Sequence, residues 1–152
     1  MSHGGFGIYL GFYKEVCSIC TNHGFEALAD NRAINGYIQF PTNVAPSHIL
    51  QLGDAMTALT GVASDFGNHQ DRCEAEPLVF VDLLDPTWVS AVGALNITGS
   101  DVQALWTSEC LKQEGETPSW AKEDHSRLIE SFLRLCEQAA TTRKQVIMVW
   151  QL

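Results

Sequence analysis

From Thr117 to Leu152 the chain reads as a long amphipathic helix running directly into an apolar strand, and this run constrains the fold more than any other. Thr117-Pro118 suits a helix start, with a capping hydroxyl followed by a proline at a position whose N–H has no helical partner. Leu128, Ile129, Phe132, Leu135, Cys136 and Ala139 then recur at steps of three and four and gather on one face. Lys122, Glu123, Arg127, Glu130, Arg134 and Glu137 fill the opposite side. Beyond Arg143-Lys144, two cations suited to the negative end of a helix dipole, the period changes. Val146-Ile147-Met148-Val149-Trp150 is an unbroken apolar run, the pattern of a strand covered on both faces.

The segments upstream supply layers for such a strand. Phe6, Ile8, Leu10 and Phe12 alternate with Gly7, Tyr9, Gly11 and Tyr13, which predicts a strand with one apolar side. Lys14 to His23 fits a short helix with Val16, Ile19, Cys20 and His23 inward, stopped by Gly24. Asn35-Gly36 offers a tight hairpin turn into a strand at 37–40. After Pro46-Ser47, the residues Ile49, Leu52, Met56, Leu59, Ala63 and Phe66 form a narrow seam that predicts a helix over 49–66. Its back is small and neutral (Gly53, Thr57, Gly61). It therefore packs closely on another element of the domain or, in a homodimer, on a second copy. Residues 78–83 form another apolar strand, Asp85-Pro86 starts a short helix, and Ser100 to Gln103 reads as a capping box opening a further one.

Strands interleaved with helices predict an α/β or α+β fold: a single domain over 1–152, with a mixed sheet of four or five strands flanked by helices. The C-terminal helix leads into a buried terminal strand. The helical connection between 78–83 and 146–151 suggests a parallel pair.

Composition narrows the function classes. The net charge is −9, and between Glu74 and Asp124 ten acids face two bases, a local net of −8. A chain so charged is a poor direct binder of nucleic acid, and a basic protein surface is its natural complement. No apolar stretch is long enough for a membrane span. The N-terminus lacks the basic and apolar regions of a secretory leader, so the expected location is cytoplasmic. The five cysteines, odd in number and irregularly spaced, read as reduced thiols.

Three constellations could carry chemistry. Cys17 and Cys20 form a CxxC pair, and His69 with Cys73 an H-x3-C pair; together they would make a Cys3His zinc site if the fold joined them. Otherwise no cofactor is implied. Asp82 and Asp85, at the end of a core strand, could hold magnesium or act as a base. No nucleophile elbow or phosphate loop exists, so no enzyme class is supported. Trp120 precedes the apolar face of the last helix, which would leave it exposed and ringed by Glu114, Glu116, Glu123 and Asp124. That is the composition of an interface anchor with a charged rim. The reading that fits best is a small acidic protein-binding module. It would be an inhibitor or immunity-type protein covering a basic surface of a toxin, nuclease or DNA-binding enzyme. The alternatives are a metal-binding domain or small enzyme at the aspartates or the zinc set, and a subunit self-assembling through helix 49–66.

Overall fold

The computed structural model describes residues 5–63, 79–151 and, as backbone, 72–75. The strands are β1 (Gly5–Gly11), β2 (Gly36–Gln39), β3 (Arg72–Ala75), β4 (Val79–Leu83) and β5 (Gln145–Gln151). The helices are α1 (Tyr13–His23), α2 (Pro46–Thr60), α3 (Pro86–Gly93), α4 (Gly99–Glu114) and α5 (Ser126–Thr142). The strands form one sheet in the order β2-β1-β5-β4-β3. The fold is α+β, and the C-terminal helix delivers its strand to the middle of the sheet.

Among the described residues every pairing is antiparallel, which corrects the expected mixed sheet: β4 and β5 run in opposite directions, with Val81 opposite Val149. The handedness rule behind the parallel expectation governs a strand–helix–strand unit. Here three successive helices intervene and can return the chain at either end of the sheet.

Side-chain alternation builds a core on each face. Phe6, Ile8, Leu10, Val146 and Met148 point toward α2–α5, whereas Tyr9, Ile147, Val149, Val79 and Val81 point toward α1 and its Val16, Ile19 and Cys20. β1 is therefore covered on both sides: Tyr9 is buried, and Phe12 leaves the strand to stand exposed before α1. Asn35-Gly36 does not form the expected tight hairpin. Instead, β2 returns to β1 after α1 and a 3-10 turn at Phe25–Ala27, with Leu10 opposite Gly36.

α2 stops at Thr60, because Gly61 takes the left-handed conformation (φ 70°) and its N–H closes on the Thr57 carbonyl. The seam drawn through 49–66 is thus cut short, and Phe66 lies outside the described residues. The small back of α2 meets the protein's own α4 and α3: Gly53 and Ala55 are buried, and the Trp88 indole donates to Thr57 Oγ1 at 3.2 Å. Two glycines permit equally close helix contacts. A Cβ on Gly93 would lie 2.7 Å from the Glu137 backbone nitrogen, and one on Gly99 would overlap the Ser126 carbonyl oxygen. Gly99 occupies the first position of α4, so the cap falls on Thr98, whose Oγ1 accepts from Asp101 N at 3.1 Å, rather than on Ser100.

The last helix also starts later than expected. Thr117-Pro118 introduces only a 3-10 turn, Ser119–Lys122, and α5 begins at Ser126, where Asp124 Oδ1 accepts the Ser126 N–H at 2.9 Å. The segment between α4 and α5 is therefore a folded loop. Among the described residues, no helix is long and apolar enough to cross a membrane.

Candidate functional site

The loop from Gly115 to His125 is held against the start of α2 and the end of α4 by a knot of rings. The Trp120 side chain is fully buried, with its ring centroid 4.0 Å from that of Trp106. Both indoles are anchored on His48: the Trp106 N–H donates to the His48 carbonyl at 2.6 Å, and the Trp120 N–H donates to His48 Nδ1 at 3.0 Å. His125, also buried, lies edge-on to Trp120 on another side, and its Nε2–H donates to the Trp120 carbonyl at 3.0 Å. Gln103 of α4 completes the clamp. Its amide oxygen accepts from His125 N at 2.8 Å, and its amide nitrogen donates to the Glu123 carbonyl at 2.8 Å.

His48 takes its place from α2. Ala45, at the cap position, has no side-chain oxygen, and its backbone N–H donates to His48 Nδ1 at 3.3 Å. With two N–H groups aimed at Nδ1, that nitrogen is the acceptor and the ring proton sits on Nε2. Nε2 then donates to Glu114 Oε2 at 2.8 Å, while the Ser47 hydroxyl donates to Glu114 Oε1 at 2.9 Å. These bonds, Ser47 first and then His48, hold the Glu114 carboxyl below the usual carboxylate range. Serine, histidine and glutamate are thus adjacent without forming a catalytic triad. A triad needs the hydroxyl on one ring nitrogen and the carboxylate on the other; here hydroxyl and ring both donate to the same carboxylate, and the second nitrogen is occupied by Trp120.

Above the knot lies a cleft of about 640 Å³, lined by His48, Thr107, Glu114, Glu116, residues 117–119, Ala121 and Lys122. Thr107, Leu111 and Glu114 share one face of α4 through their spacing of four and three. Leu111, on that face, is 47% exposed. Along the same helix pair, the Gln113 amide donates to both Asp54 and Glu109 at 2.8 Å.

No family model, curated protein or solved structure matches the chain.

The residues expected at a partner interface are separated by burial. Trp120, expected to be exposed, is interior, because the segment ahead of α5 folds back where a continuous helix would have carried it outward. Glu114 and Glu116 line the cleft. Glu123 is exposed just after the 3-10 turn, and Asp124 accepts the Ser126 N–H, its carboxyl held low first by the bond to the Ser126 side chain. Among the described residues, Glu114 pairs with His48, Asp124 lies within the field of Arg127, and Glu116 and Glu123 form no ion pair with Lys112 or Lys122.

The proposed zinc set loses Cys17, which is disulfide-bonded and has no thiolate to offer a cation. This also corrects the reading of all five cysteines as reduced. Cys20 is a free, buried thiol on the same helix, its pKa pushed up to about 11 by burial. His69 and the Cys73 side chain lie outside the described residues. Asp85 caps α3, accepting Thr87 N at 3.0 Å, while Asp82 is buried in the sheet and accepts the Trp150 indole N–H at 3.0 Å. Among the described residues, no three His, Cys, Asp or Glu side chains are grouped to hold a metal ion.

His48 and His125 stand outside the residues expected at the site. The signal was present for His48: it stands three residues after a cap position that offers no side-chain acceptor of its own. Nothing local marked His125, because its burial depends on the fold of the preceding loop.

Proposed function

We propose that this protein is a small acidic protein-binding module, of the inhibitor or immunity type, that covers a basic surface of a toxin, nuclease or DNA-binding enzyme. The contact face is the cleft at the end of α4 and its margin: Glu114, Glu116 and Glu123, with Leu111 as the apolar element in place of the buried Trp120. The observation that supports this most is that Glu114, Glu116 and Glu123 are exposed and, among the described residues, form no ion pair with a lysine or arginine. A cationic partner would supply the missing counter-charge and, with it, fast association that weakens with salt.

Capture from host lysate at low and high salt, with wild type beside Glu116→Lys/Glu123→Lys, tests the proposal. Both side chains are exposed and, among the described residues, neither is hydrogen-bonded or ion-paired, so the double variant should keep its fold. A basic protein retained at low salt, released at high salt and lost with the variant supports the reading. Retention unaffected by the reversal removes the acidic margin from it.

A cytoplasmic site of action was the expectation from the sequence. The Cys17 disulfide instead favours an oxidising compartment. Alkylation of thiols in acid-quenched cells decides this, because a fully alkylated Cys17 restores the cytoplasmic reading.

A further inference from the structure

We propose that His48 is a pH-sensitive latch: protonation of its Nδ1 releases Trp120 and loosens the loop that forms one wall of the cleft. In the closed arrangement Nδ1 receives two N–H donors, from Trp120 at 3.0 Å and from Ala45 at 3.3 Å. A proton on Nδ1 would replace that acceptor with a third donor, and neither bond survives. On the opposite edge, the bond from Nε2 to Glu114 becomes an ion pair and persists. The cationic ring therefore stays on α4 through Glu114 and gives up the loop.

A proton can reach the ring, since the His48 side chain is 16% exposed and lines the open cleft. The charges around it belong to three groups. Glu114 of α4 is in contact and favours the cation; Glu116 and Lys122 of the loop share the cleft, with opposite signs. His125 lies on another side of Trp120, its ring centroid 5.5 Å from the indole, and bonds to the Trp120 carbonyl rather than to the indole N–H. Release at His48 thus frees the indole edge while leaving the backbone of the same residue clamped, so the motion is confined to the cleft side of the loop. The latch requires no partner and operates whether or not the proposed binding occurs.

The test follows the Trp120 indole N–H by proton–nitrogen NMR from pH 8 to 5, the range in which imidazoles titrate, assigned with Trp120→Phe. The Trp120 indole resonance should move through an inflection that coincides with the titration of the His48 ring. His48→Gln, which keeps an N–H for Glu114 and an oxygen for Trp120 but cannot become charged, should abolish the movement. Glu114→Gln should shift the midpoint to lower pH, because it removes the carboxylate that favours the cation. An indole resonance that stays still across the range overturns the proposal, as does one that still titrates in His48→Gln. Should His48→Gln fail to fold, a midpoint unmoved by Glu114→Gln overturns it equally.

Discussion

At the scale of single residues, Glu114 and Trp120 carry the most. Glu114 accepts from Ser47 and His48 and so ties the start of α2 to the end of α4. Its carboxyl titrates lower in the folded protein than in the unfolded chain, so the folded state is favoured at pH above the unfolded value, about 4.3 for a glutamate. That contribution is lost as pH falls through the folded value. Urea unfolding at pH 7 and at pH 3.5 should therefore show a smaller drop in stability for Glu114→Gln than for wild type. Trp120 gives a larger effect. Truncation to alanine removes a buried indole stacked on Trp106 and should cost about 3–5 kcal/mol. Trp120→Phe keeps most of the ring and loses the bond to His48, at a cost of about 1–3 kcal/mol. Equal losses for the two variants would show that the bond, and not the stack, holds the loop.

At the scale of elements, α5 is the surface on which α3 and α4 are laid, and glycine sets both distances. Gly99→Ala would drive a methyl group into the Ser126 carbonyl and should destabilise by about 1–3 kcal/mol, or more if α4 cannot shift. Gly115→Ala is the informative contrast: its Cβ would meet open space, but its φ of 80° strains any other residue by about 1 kcal/mol. Differential scanning calorimetry of the two should rank Gly99→Ala below Gly115→Ala. Most elements were legible in the sequence, because alternation and three-four spacing are local: the α5 stripe, the apolar β5 run and the α1 face through Val16, Ile19 and Cys20 all stand where the pattern put them. Boundaries were less so. The seam of α2 ran past Gly61 because periodicity alone does not register a left-handed cap, and Pro118 opened a 3-10 turn that ended after four residues.

At the scale of the whole molecule, strand direction and the site escaped the sequence for one reason: both depend on contacts between residues far apart in the chain. His48 meets Glu114 and Trp120 across the α2–α4 junction, and no spacing rule connects them. The thiols offer a check at this scale. Unfolded without reductant, the chain should show fewer than its five cysteines as thiols, with Cys20, Cys110 and Cys136 among those that react. In the native protein these three should be slow to modify, since burial raises all three, Cys110 to about 12. Detection of all five before reduction would contradict the Cys17 disulfide. The place of β5 has a consequence for assembly. It separates β1 from β4 and is the strand that hydrogen-bonds to both, so the β2-β1 pair and the β4-β3 pair remain two unjoined ribbons until residues 145–151 arrive between them. A chain cut after Arg143 should accordingly be a receptor for its own missing piece, with a synthetic peptide of the β5 sequence restoring the sheet by complementation.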